Sequence, residues 1–192
     1  DEGKKVYAMA APATEGQFGP NITMNSWKKA MSALGFNGFV EVALGGDMTA
    51  ASEADEWYEA YQAGEKKVTS CCPGFVNMVR RHYPDLADKI SISPMAAISR
   101  MIKAKDPDAV TVFIGPCIAK KSEVEDQKIE GNADYVLTYS EIRAIMRAKD
   151  VELEADDMSY QEGSVYGKRF ANSGGVTAAV LESLKEKGID AE

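Results

Sequence analysis

Three cysteines are the side chains in this 192-residue chain best suited to chemistry, and all three stand in loops flanked by proline or glycine. Cys71 and Cys72 are adjacent in Thr69-Ser70-Cys71-Cys72-Pro73-Gly74. Lys66 to Thr69 reads as a strand leading in, and Phe75 to Tyr83 as an apolar-periodic helix leading out. A thiol at a helix N-terminus meets unpaired N–H groups and the positive end of the helix dipole, which favour thiolate and hence metal ligation or proton exchange. Cys117 repeats the setting, because the strand-like Val110 to Ile114 runs into Gly115-Pro116-Cys117. Lys120 and Lys121 follow it, and their charge favours a thiolate. The competing reading is that each thiol is a small buried hydrophobe, the commonest fate of a free cysteine. Structural zinc needs four Cys/His ligands, usually with Cys-x-x-Cys spacing, which three cysteines and His82 do not supply. A Cys–His hydrolase would need His82 near a cysteine and an oxyanion hole, and the sequence signals neither.

The elements that must position these loops read as an α/β chain. Lys5 to Ala10 is a buried strand ending at Ala11-Pro12, and Met24, Trp27, Met31 and Leu34 recur at helical spacing before a closing Gly35. That stripe reads as core. Phe39 to Leu44 reads as a second strand, Gly45-Gly46-Asp47 as a turn, and Thr49 to about Ala63 as a helix with Glu53 and Glu56 one turn apart on one face. Such carboxylates are usually solvated. The β-α-β-α-β order implies parallel strands with right-handed crossovers, whose ligands gather outside the carboxyl ends of the strands, where Pro12, Cys71 and Cys72 would lie. Ser93-Pro94 opens a helix with Met95, Ile98, Met101 and Ile102. A second sheet is expected from Ala109 to Ile114 and from Asp134 to Thr138, with Ser140 capping the next helix. The acidic stretch Glu152 to Gly167 reads as a mobile surface segment, and Ser173-Gly174-Gly175 precedes a last helix. The expected architecture is α/β with two parallel-sheet lobes flanked by helices and a cleft between them: about 1–70 plus 170–192, and about 71–169.

Composition bounds the function. A net charge of −8 leaves no basic stripe for nucleic acid. No apolar run approaches the roughly 20 residues that span a bilayer, and the Asp1 to Lys5 start is unlike a signal peptide. Three cysteines make no disulfide framework, so a reducing compartment, the cytoplasm, is expected.

Together, Thr69-Ser70-Cys71-Cys72-Pro73-Gly74 and Pro116-Cys117-Ile118-Ala119-Lys120-Lys121-Ser122-Glu123 resemble the first two signatures of the iron-only, or [FeFe], hydrogenase catalytic domain. Ala11-Pro12-Ala13, Gly45 to Thr49, Asp134 to Thr138 and Ser173 to Val176 resemble further features in the family's order. The resemblance implies an H-cluster, a [4Fe–4S] cube bridged by a cysteine to a two-iron centre, which interconverts protons, electrons and H2. It implies Cys72 and Cys117 as cube ligands and Cys71 as the proton-exchanging thiol beside the two-iron centre. Lys120 would hydrogen-bond a cyanide ligand, Ala11 and Pro12 would line the other cyanide, and Glu53, Glu56 and Glu123 match carboxylates of the proton path. A redox partner such as ferredoxin, or an attached Fe–S or sensor domain, is implied; nucleic acid and membrane are not.

Departures from the pattern carry their own expectation. Gly115 stands where a Met usually packs near the two-iron centre, and Met95 where a Gln usually contacts it. Ala60 replaces a supporting Arg, Lys89 a relay Ser and Phe75 a Trp. These changes resemble a divergent branch that senses H2. The third signature, a Cys-x-x-x-Cys carrying the bridging and fourth ligands, is not within these residues, so this chain alone is expected to be apo and inactive. Two alternatives remain open: a non-catalytic hydrogenase-like Fe–S assembly factor, whose relatives usually lack the thiol at Cys71, and a regulatory α/β module with inert thiols.

Overall fold

The computed structural model describes residues 3–65, 67, 71–89, 92–158 and 161–191. The expected strand Lys66 to Thr69 falls almost wholly outside them. Among the described residues, four parallel strands form one sheet in the order β2-β1-β3-β4: β1 (Val6–Ala10), β2 (Gly38–Glu41), β3 (Val110–Gly115) and β4 (Tyr135–Thr138). The α/β class and the parallel strands are as expected. The second sheet is not separate, because β3 pairs directly with β1 in the register Ala10 to Ile114. No helix among the described residues is long and apolar enough to cross a membrane.

Alternation along the strands gives the sheet two buried faces. Ala8, Ala10 and Ile114 pack on one side against Trp27 and Met31 of α1 (Met24–Ala33) and Ile142 and Met146 of α6 (Tyr139–Ala148). Met9 and Phe113 point the other way, onto Met95, Ile98 and Ile102 of α4 (Pro94–Lys105). The Met/Trp stripe is core, as its spacing predicts. On the α4 side, α2 (Val42–Gln62) also packs against α8 (Gly175–Glu186) through Ala50, Ala54, Ala179, Val180 and Leu184.

Three further expectations need correction. The strand β2 stops at Glu41, and helix α2 runs straight through Gly45-Gly46-Asp47. The glycines serve packing there, since a Cβ on Gly45 would sit 2.3 Å from the Pro94 carbonyl oxygen and one on Gly46 would sit 3.2 Å from the Phe170 ring. Thr138, not Ser140, caps α6: its Oγ1 accepts from Glu141 N at 3.4 Å, and its own N–H donates to Glu141 Oε2 at 2.7 Å in a capping box. The described part of 152–167 lies on the body rather than free of it. Leu153 packs on the α1/α6 core, Asp156 accepts from Asn25 and Lys29, and Ser164 donates through N and Oγ to the Asp47 carboxylate. Ser164 then caps the short helix α7 (Val165–Lys168).

Candidate functional site

The sheet order creates a switch point. From β1 the chain moves to β2 on one side and later to β3 on the other, so the loops after β1 and β3 part in opposite directions and leave a crevice at their carboxyl ends. Ala11-Pro12 leaves β1 there, and Pro116-Cys117 leaves β3 beside it. Ala11 N donates to Ile114 O at 2.8 Å, which holds the two exits together. Gly115 is needed for that closeness, as a Cβ would meet Ala11 Cβ at 2.9 Å and the Phe113 ring at 2.8 Å. A methionine at 115 has no room in this packing. Met95 lies beneath, wholly buried in the core cluster that contains Ala11 and Phe113.

Cys72 is the N-cap of α3 (Pro73–His82) and is exposed, while Cys117 is half-buried two residues before α5 (Ala119–Val124). None of the three cysteines is joined in a disulfide. His82 ends α3 on the surface.

Cys71 differs from what a helix N-terminus alone predicts. Burial pushes its thiol up to about 11, against the pull of Lys120, and the negative charges of Glu53 and Glu123 push in the same direction as burial. The thiol is therefore protonated at neutral pH. The same electrostatics bring together four residues singled out from the sequence, since one ammonium and two carboxylates act on one sulfur.

Each of those groups is held. Lys120 Nζ donates to Glu123 Oε2 at 2.6 Å within a largely buried pair, and Ser93 Oγ donates to Glu123 Oε1. Asn132 Nδ2 fixes the Glu123 backbone carbonyl at 2.7 Å. Glu53 is fully enclosed on α2, whereas Glu56, one turn on, is 44% exposed and pairs with Lys67. Burial lowers the Lys67 ammonium from its ordinary value, and the charge of Glu53 resists that shift. The expectation of solvated carboxylates thus fails for Glu53 and holds in part for Glu56. Ser93 and Lys67 are partners of these carboxylates that sequence reasoning missed. Ser93 was legible as a helix cap, and its Oγ does accept from Ala96 N at 3.3 Å, but nothing local reveals that it also donates to a carboxylate 30 residues away.

A cavity opens beside Cys71, lined by Val76, Asn77, Arg80, Ser93, Glu123 and Asp126 among others. Among the described residues, no three His, Cys, Asp or Glu side chains form a complete metal set. The donors present are thiols, Cys117 just past the β3 exit and Cys72 at the N-cap of α3, whose type fits a soft, thiolate-bound iron–sulfur group.

The chain is thus an α/β domain with one thiol, Cys117, just past the β3 exit and another, Cys71, under the influence of one ammonium and two carboxylates. The family described as the iron only hydrogenase large subunit, C-terminal domain, matches residues 4–192, and the chain belongs to that family. It is 31% identical over 197 residues to iron hydrogenase 1 of Clostridium pasteurianum, covering 91% of this chain and 34% of that protein. It is 28% identical to the periplasmic [Fe] hydrogenase large subunit of Nitratidesulfovibrio vulgaris, covering 95% of this chain and 50% of the relative. It is also 30% identical to the cytosolic Fe-S cluster assembly factor NAR1 of Kluyveromyces lactis, over 55% of this chain and 22% of that protein. The chain therefore spans half or less of the length of these relatives.

Proposed function

We propose that this chain forms the cysteine-bearing first part of an iron-only hydrogenase catalytic domain, whose complete form interconverts H2 with protons and electrons at an H-cluster. The observation that carries this reading is the largely buried Lys120–Glu123 pair, held by Ser93, whose charges together with that of enclosed Glu53 act on the half-buried Cys71 thiol, with Cys72 and Cys117 at the starts of the two adjoining helices. When bound, the H-cluster supplies the redox-active iron at which H2 is split or formed. Cys72 and Cys117 would hold its cube, and since a cube takes four thiolates, the other two come from sequence beyond these residues or from another chain. Alone, the chain is proposed to be apo.

The remaining steps belong to the chain's own residues. Cys71 holds a proton on its sulfur at neutral pH and stands ready to give or take it beside the crevice. Glu53, enclosed one helical turn from the half-exposed Glu56, links that thiol to solvent, and Lys67 balances the charge on the pair. Lys120 presents an ammonium suited to an anionic ligand, oriented by Glu123, which Ser93 fixes in turn. Ala11, Pro12 and Gly115 form the narrow floor of the crevice. Gly115, Met95, Ala60 and Lys89 support a role in sensing H2 rather than rapid turnover, with a redox partner of ferredoxin type or an attached sensor domain. The free thiols suit a reducing cytoplasm.

Extending the chain through a Cys-x-x-x-Cys segment, reconstituting it and measuring H2 evolution from a reduced dye together with infrared CO and cyanide bands tests this reading. Both signals are expected, and absence of both overturns it. The resemblance to an Fe–S assembly factor favours a second reading, non-catalytic cluster handling. Cys71→Ser separates the two: it abolishes H2 evolution in a hydrogenase and leaves assembly function unchanged.

A further inference from the structure

The two proposed cube ligands sit at the starts of two different helices, Cys72 as the N-cap of α3 and Cys117 just before α5. The separation of their sulfurs is thus set by how α3 lies on α5.

The two helices are anchored very unequally. α5 is tied to the body from three directions: Ser93 of the α4 cap donates to Glu123, Asn132 holds the Glu123 carbonyl, and Lys121 Nζ donates to Glu141 Oε1 on α6 at 2.5 Å. α3 buries only Pro73 and Val79, and it packs on the 3-10 turn Pro84–Lys89 and on α5. Among the described residues, its polar ties there are Asn77 Nδ2 donating to Ser122 Oγ of α5 at 3.3 Å and Arg80 Nη1 donating to Asp126 Oδ2, two residues past the end of α5, at 2.5 Å. Asp126 is a firm anchor, since Lys128 N donates to its other carboxylate oxygen at 3.1 Å and its own N–H donates to Glu123 O at 3.1 Å. Asn77 and Arg80 are one turn apart on α3, so both contacts arise from one face.

We propose that Arg80 and Asp126, aided by Asn77 and Ser122, form a clamp that positions Cys72 against Cys117 and so sets the width of the cluster-binding mouth. They are positioning residues, and none touches a proposed ligand sulfur. The clamp rests on the reading of Cys72 and Cys117 as ligands, but its geometry can be measured without a cluster.

The test uses the metal-free 192-residue chain carrying Cys71→Ser, with nitroxide labels on Cys72 and Cys117 and pulsed-EPR distance measurement. The intact clamp is expected to give one narrow distance. Arg80→Glu and Asp126→Arg should each raise a second, wider population by about two- to fivefold, as expected for loss of a partly exposed ion pair. The Arg80→Glu/Asp126→Arg double variant should restore the narrow distance. Unchanged distributions in the single variants, or a double variant as broad as either single, overturn the clamp. Circular dichroism melts on each protein show that a wider distance is not unfolding; an unfolded single variant is replaced by Arg80→Gln, which must give the same widening for the clamp to stand. A cluster that loads without Cys72 or Cys117 would refute the ligand reading and leave the measured clamp intact.

Discussion

Cys71 and Cys72 are neighbours with opposite fates. At the N-cap of α3 Cys72 is exposed, while Cys71 is half-buried and feels the charges of Lys120, Glu53 and Glu123. With its thiol at about 11, Cys71 should be alkylated by iodoacetamide far more slowly than Cys72 at pH 8, its rate still climbing above pH 9. Equal rates at pH 8, read by peptide mass spectrometry, would contradict the burial. Lys120 is the group that draws the Cys71 thiol down, so Lys120→Met should push it higher still. The same change leaves Glu123 buried without its cation, at an expected cost of about 3 kcal/mol in urea denaturation. A loss near zero would mean that the pair is solvated. The chemistry of these residues was legible only in part. Helix-dipole reasoning from Cys71-Cys72-Pro73 points to a thiolate, whereas desolvation, which no local pattern encodes, dominates at Cys71.

At the scale of elements, local signals were reliable where a segment carries its own explanation. The stripe of α1, the helix opening at Ser93-Pro94 and the strand before Cys117 all formed as expected. They misled where a distant element decides. Gly45-Gly46 looks like a turn in isolation, yet it is helical because α4 crosses so closely that only glycine fits. Gly45→Ala should accordingly destabilise by about 1–3 kcal/mol through overpacking, whereas a turn glycine away from any neighbour would show no such clash. Thr138→Ala removes the cap side chain of α6 and should cost about 1 kcal/mol, while Ser140→Ala should be nearly neutral; chemical denaturation of the pair checks the assignment. The 152–167 stretch was misread for the same reason as the glycines. Its polar composition suggests mobility, but Asp156 and Ser164 find partners on α1 and α2 over more than 100 residues of chain.

At the scale of the whole molecule, the sheet order decides which loops lie together. The order β2-β1-β3-β4 places the exits of β1 and β3 side by side, Cys117 follows β3 there, and Glu53 of α2 with Lys120 and Glu123 of α5 act on the Cys71 thiol. This arrangement also makes stability sensitive to alkali. The Cys71 thiol rises in the folded state from its ordinary 9.0 to about 11, so the unfolded chain loses its proton first and the folded state is disfavoured as pH climbs through that window. Full stability from this group is present below pH 9 and lost by about 11, and Cys71→Ala should flatten that part of the profile relative to the parent. Everything in this reading turns on which sulfurs bind iron. Reconstituting the chain extended through a Cys-x-x-x-Cys segment and recording the EPR signal of the reduced [4Fe–4S] cluster in Cys71→Ser, Cys72→Ser and Cys117→Ser tests it most directly. The account predicts that the signal is lost or strongly altered without Cys72 or Cys117 and persists without Cys71. A cluster that survives loss of Cys72 or Cys117, or disappears with Cys71, would contradict it.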